Sequence, residues 1–304
     1  MRTMFAQAAL VVCVVLTVQF AAVSSARPCT AWAVAGYRAS HGGTLLAKNR
    51  DWKPERDELK LVVPARGFRY LALFALHSNG RRFVAAGINE RGLAVISTSA
   101  SSVPRKERAV GAGGLNEKLL ASFDSVESVM QQKGMLSGGH PIFLMLADNS
   151  EIAQIEIAPH GAVASKTVNR GALCHTNHYL DPKLLWANHK IGKSSAKRLE
   201  RIEQLLTGHH CPLTLNDFIS FSGDRHDGPD DSIWRTGSSP GKERTLATWI
   251  VSIPVKGVPS LYVKLANPGE TEKSYRLELD ESLWTHGWGD GGTIGTPKVP
   301  HSHL

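Results

Sequence analysis

The chain has 304 residues, 42% hydrophobic and 20% charged, enough for a packed core and too apolar for wholesale disorder. Its formal charge of +8 is spread without a Lys/Arg block or a basic stripe with interleaved aromatics, so nucleic-acid binding is not expected. Four cysteines are too few for a disulfide scaffold, and the one apolar run near membrane length is N-terminal, which excludes a polytopic membrane protein.

That N-terminal run has a purpose of its own. Arg2, the apolar stretch 8–18 and the small residues Val23-Ser24-Ser25-Ala26 read as a secretory signal peptide over 1–26, cut after Ala26. The expected location is secreted or periplasmic, with no stable membrane insertion once the signal is gone. Arg27-Pro28 is then a short propeptide, and Cys29 opens the main domain, 29–284. Cys13 leaves with the signal. Cys29, Cys174 and Cys211 remain, an odd number in an exported chain; Cys174 and Cys211 can pair or stay separate thiols.

From Cys29 the pattern is strand-rich. Residues 30–37 and 44–47 read as a hairpin turning at Ser40-His41-Gly42-Gly43. Short strands are expected at 59–63, 70–76, 83–88 and 92–98, the last two joined by Asn89-Glu90-Arg91-Gly92. Leu115, Leu119, Leu120 and Phe123 keep a helical period, and Asp124-x-x-Glu127 predicts a capping box for a second helix. Strands follow at 142–146, 151–157, 162–168 and 172–176. Helices are expected at 195–206 and 215–222, the latter capped by Thr214 or Asn216. Strands at 245–253 and 261–265 come next, and 285–304 reads as a loose Gly- and His-containing tail. Strands, two helices, then strands again is not βαβ alternation. It predicts an α+β fold of two antiparallel sheets with helices outside, without a nucleotide loop.

The chemistry centres on Cys29. A cysteine that becomes the first residue of a mature chain can use its thiol as nucleophile and its own α-amine as base. Such a site needs a carboxylate for the ammonium, a cation near the thiolate and donors for an oxyanion. The returning strand of the hairpin carries Lys48-Asn49-Arg50-Asp51-Trp52, which offers Lys48 and Asp51 near Cys29. His175 and His178 have a spacing that zinc could use, but no third ligand is placed, so no metal or cofactor is expected. A papain-like protease lacks its C-G-S-C-W pattern here.

Five segments, in order over roughly 29–270, resemble one superfamily. They are Cys29-Thr30 with Lys48 to Trp52; Asn89-Glu90-Arg91-Gly92-Leu93; Thr176-Asn177-His178-Tyr179; Ser194-Ser195-Ala196-Lys197-Arg198; and Asp224 to Pro229 with Ile233. The chain resembles the N-terminal-nucleophile (Ntn) linear amide hydrolases, a group with penicillin V acylases, choloylglycine hydrolases and isopenicillin N acyltransferases, and is most similar to the autoproteolytic acyltransferase branch. The resemblance implies a four-layer αββα sandwich. It implies Cys29 as nucleophile, freed by self-cleavage at Pro28–Cys29, with Asp51 holding the amine. Asn177 would be the side-chain oxyanion donor, a backbone N–H at Ser99 the second donor, and Arg198 a buried cation. Lys48 stands where relatives often have arginine; it keeps the charge and loses the planar fork. The implied activity is cleavage or transfer at a linear amide of a small N-acyl substrate through a Cys29 thioester. The alternative is an inactive secreted binding protein on the same fold.

Overall fold

A computed structural model describes residues 28–108, 114–210 and 212–288. The signal segment, Arg27 and Cys211 lie outside them. In chain order the elements are β1 Cys29–Ala35, β2 Thr44–Trp52, β3 Arg56–Val62, β4 Tyr70–Leu76, β5 Arg82–Asn89 and β6 Ala94–Ser99, then α1 Arg105–Arg108, α2 Leu115–Ser122 and α3 Val126–Gln131. Strands β7 Ile142–Ala147, β8 Ile152–Ile157, β9 Val163–Val168 and β10 Gly171–His175 lead to α4 Lys193–Gly208, α5 Leu215–Ser222 and α6 Gly228–Asp231. The described chain closes with β11 Arg244–Ile253, β12 Ser260–Leu265, β13 Lys273–Glu278 and α7 Glu281–His286.

The strands form two antiparallel sheets, β10-β1-β2-β11-β12-β13 and β3-β4-β5-β6-β7-β8-β9. Side chains of a strand alternate between faces, so each strand of a covered sheet serves two cores. In β1, Ala31, Ala33 and Ala35 face the other sheet with Leu46, Leu71 and Leu73. Trp32 and Val34 face outward, where Ile202, Leu206, Phe218 and Phe221 of α4 and α5 cover them. The far side of the second sheet is covered by Leu115, Leu119 and Leu120 of α2 and Val126 and Val129 of α3. This is the expected αββα sandwich. The glycine in the β1–β2 turn is required by close approach: a Cβ on Gly43 would lie 2.0 Å from the carbonyl oxygen of Ile253.

Three local expectations change. The helix after α2 is capped one residue later than predicted: Ser125 Oγ accepts the Ser128 N–H at 3.2 Å, and Ser128 Oγ accepts the Ser125 N–H at 3.2 Å. A hydroxyl at the third position does what Glu127 was expected to do, and Asp124 instead accepts from Ser125 Oγ at 3.1 Å. Strand β13 was not expected, although Tyr275 and Leu277 alternate with exposed polar residues along it and pack on the core. It is an edge strand with alternate exposed polar residues, a pattern that discourages further pairing. Helix α7, N-capped by Asp280 through the Leu283 N–H at 2.9 Å, extends to His286, two residues past the expected boundary of the domain. Residues 289–304 of the expected tail lie outside the described residues.

Candidate active site

The β1–β2 register sets the site. Cys29 lies opposite Arg50, Thr30 opposite Asn49 and Ala31 opposite Lys48. Alternation therefore puts Cys29, Lys48 and Arg50 on the face between the sheets, and Thr30, Asn49 and Asp51 on the face under the helices. The two charges that sequence offers to Cys29, Lys48 and Asp51, approach it from opposite sides.

Lys48 is 2% exposed and donates to the carbonyl oxygens of Ala85, at 2.9 Å, and Ser97. Burial pushes its pKa down, while neighbouring Cys29 acts to raise it. On the helix side, Asp51 accepts from Thr245 Oγ1 at 2.7 Å. A bulge between Thr245 and Ala247 in β11 brings Thr245 opposite Asp51. Asp51 Oδ2 lies 3.9 Å from Arg235 Nη1 and has no hydrogen-bond partner among the described residues. Burial raises the Asp51 pKa against the pull of Arg235 and Arg198.

Arg198, fully buried in α4, joins the pieces. Its Nη1 donates to the Cys29 carbonyl oxygen at 2.5 Å and Thr30 Oγ1 at 2.8 Å, its Nη2 to Asn177 Oδ1 at 2.9 Å, and its Nε to Ser194 Oγ at 3.2 Å. Desolvation lowers its pKa to about 10, which leaves it charged at neutral pH. Asn177 Oδ1 also accepts the Cys29 N–H at 3.0 Å, and its Nδ2 donates to the Ser99 carbonyl oxygen at 3.0 Å. Ser99 thus meets Asn177 through its carbonyl. Pro28, the first described residue, precedes Cys29, so the Cys29 nitrogen here is a peptide N–H.

Sequence reasoning missed several supporting residues. Arg235, 4% exposed beside Asp51, stands two residues after Ile233 in a segment already singled out. Ser195 Oγ accepts the Asn177 N–H at 3.0 Å and lies 2.8 Å from His178 Nδ1, so both serines of the Ser194-Ser195 pair hold site residues. Glu156 accepts from Leu180 N–H at 2.9 Å and meets His175 Nε2 at 3.0 Å, anchoring the segment that follows Asn177. His175 and His178 therefore face different partners. Cys174 is a free thiol 3.8 Å from Glu203 Oε1, and burial pushes its pKa up to about 12.

Burial pushes the His178 imidazole down to about 4, helped by neighbouring His175. An unfolded histidine titrates near 6.5, so between these values the unfolded chain binds more protons. Stability from this group is complete above pH 6.5 and is lost toward pH 4, by about 3 kcal/mol. Urea midpoints at pH 7 and 4.5 are expected to differ more in the wild type than in His178→Gln; an equal drop in both assigns the acid sensitivity elsewhere.

The fold is that of the Ntn cysteine amide hydrolase superfamily. Residues 38–267 match the family model of acyl-coenzyme A:6-aminopenicillanic acid acyl-transferase, and the chain belongs to that family; the match begins after Cys29. Among solved structures, the chain is similar to penicillin V acylase from Agrobacterium tumefaciens, with 14% identity over 84% of this chain and 89% of that one, TM-score 0.50. It is also similar to a variant of conjugated bile acid hydrolase from Clostridium perfringens, with 13% identity over 89% of this chain and all of the other, TM-score 0.50. No curated protein matches it.

Proposed function

We propose that the protein is an exported amidase or acyltransferase whose nucleophile is the thiol of Cys29 after removal of residues 1–28. The observation that carries this reading is the grip on the first residue of β1. Asn177 and Arg198 hold the Cys29 backbone at its nitrogen and carbonyl, while Lys48 lies on the face between the sheets that the Cys29 side chain also occupies. The unpartnered Oδ2 of buried Asp51 is consistent with an ammonium arriving there on cleavage. The signal-like segment 1–26 supports export.

In the maturation step, Cys29 Sγ attacks the Pro28 carbonyl and the acyl group moves from nitrogen to sulfur, which breaks the C–N bond and frees the protonated α-amine; water then hydrolyses the thioester, releasing the propeptide carboxylate and the Cys29 thiol. In turnover, the amine takes the thiol proton and Sγ attacks the substrate amide carbonyl. Asn177 and a backbone N–H at Ser99 stabilise the oxyanion. The amine product leaves with the proton, and water or a second amine resolves the thioester. The names of the matched proteins, an acylase, a bile acid hydrolase and an acyl-transferase, all fit N-acyl substrates.

Intact mass and N-terminal sequence of the exported protein test this. The wild type is expected to begin at Cys29, and Cys29→Ala to keep residues ahead of it and lose all amide turnover. A wild type that keeps Arg27-Pro28 and still cleaves amides overturns the reading.

A further inference from the structure

Beside Cys29 lies a buried ion pair, most of whose polar atoms have no hydrogen-bond partner among the described residues. Arg50 is the cross-strand neighbour of Cys29 on the face between the sheets, where paired Cβ atoms stand about 5 Å apart. Arg50 is 3% exposed and Asp57, from β3 of the other sheet, 2%. Arg50 Nε lies 3.1 Å from Asp57 Oδ1, yet the two are not aligned to hydrogen bond. Nε and Nη1 of Arg50 and both carboxylate oxygens of Asp57 are buried without a hydrogen-bond partner among the described residues. Buried polar groups are seldom left so, because desolvation is then uncompensated.

Beyond the ion pair itself, the described residues give these atoms no hydrogen bond. Lys48 is engaged with the Ala85 and Ser97 carbonyls. The Asp57 backbone is fixed on both sides by Asn267, whose Oδ1 accepts the Asp57 N–H at 2.8 Å and whose Nδ2 donates to its carbonyl at 3.0 Å. The carboxylate therefore cannot swing away with its backbone. Aromatic rings complete the surroundings. Arg50 Cζ lies 5.9 Å from the Phe83 centroid, His77 stacks on Phe83 at 5.3 Å, and Trp52 meets His77 edge-on at 5.8 Å.

We propose that Arg50 and Asp57 determine specificity for the acyl side of the substrate, selecting an acyl group that carries a carboxamide-type donor and acceptor. The proposal rests on the amidase reading above. A carboxamide accepts from Arg50 and donates to Asp57 without adding charge. An alkyl chain offers neither and leaves the pair's polar atoms desolvated. A carboxylate satisfies Arg50 and sets a second negative charge against Asp57. Sites built to hydrogen bond a substrate group discriminate strongly against analogues that lack it, because the protein's own polar groups are then stranded.

The test uses the mature protein and N-acyl 4-nitroanilides with hexanoyl, glutaramoyl and glutaryl groups, each with one-carbon shorter and longer homologues. The best carboxamide is expected to exceed the matching alkyl substrate at least tenfold in kcat/KM. Arg50→Met with Asp57→Leu should reverse that order, and Asp57→Asn alone should move the preference toward the carboxylate. Equal or better hydrolysis of the alkyl series by the wild type overturns the proposal, as does a carboxylate preference in the wild type or a carboxamide preference that survives the double substitution. Should the double variant fail to fold, the wild-type ranking and Asp57→Asn decide. If a protein beginning at Cys29 cleaves none of these, the amidase reading fails separately. Calorimetric binding of the matching N-methyl amides then ranks the acyl groups without turnover: tighter carboxamide binding supports the pair as a polar subsite, and tighter alkyl binding overturns it.

Discussion

Arg198→Met is expected to destabilise the chain by about 3–5 kcal/mol and to stop exposure of Cys29. The guanidinium is fully buried and donates to four acceptors from three parts of the chain: Cys29 and Thr30 in β1, Asn177 after β10, and Ser194 in its own helix. Methionine fills similar volume and donates to none of them, and each stranded acceptor costs roughly 1–3 kcal/mol. Asp51 also loses one of the cations that favour its charged form. Lysine keeps the charge without the fork, so Arg198→Lys should recover part of the stability and little of the maturation. Denaturant unfolding and intact mass on the same samples separate the two effects. Unchanged stability with normal maturation in Arg198→Met would show that Asn177 and the β1 backbone hold their positions unaided.

Asn177→Ala should lower kcat by about 10²–10³ with a much smaller change in KM, as expected for loss of a donor that acts on the oxyanion. The side chain also accepts the Cys29 N–H and links to Ser99 and Arg198, so a slower maturation should accompany the kinetic loss. Asn177→Asp keeps shape and acceptor but replaces the amide donor with a second acceptor. It should do worse than alanine, since a negative charge then stands beside the developing oxyanion and the Ser99 carbonyl. Equal loss in kcat and rise in KM for both variants would assign Asn177 to substrate binding alone. Progress curves on any accepted amide, corrected for the fraction with a free N-terminus, give both parameters.

Much of this molecule was legible before any coordinates. The hairpin from Cys29, the strands up to 98, the helix pair after 115 and the long helix near 195 follow from alternation, turn residues and period, which are local properties of the chain. Two antiparallel sheets with helices outside follow from their order, and the family resemblance implied the αββα sandwich. A weak signal escaped: β13 is a short edge strand in which only Tyr275 and Leu277 alternate with polar residues, and its pairing to β12 depends on a neighbour 8 residues away across a turn. The cap of α3 escaped because Asp124, Ser125 and Ser128 each offer an oxygen at a workable spacing, and only backbone geometry chooses between them.

The sequence by itself determined which groups are available: a cysteine behind a signal-like segment, a Lys-Asn-Arg-Asp run on the returning strand, a Thr-Asn-His turn and an arginine in a helix. Tertiary structure decided where they meet. Contacts between Cys29 and Asn177, or Arg198 and Thr30, join residues more than a hundred positions apart, and no local pattern encodes such a distance. Strand parity then assigned sides, with Lys48 and Arg50 between the sheets and Asp51 under the helices. Arg235 became part of the site only because a bulge in β11 and the packing around Asp51 bring it there, and burial, which residue identity alone does not specify, made its charge matter.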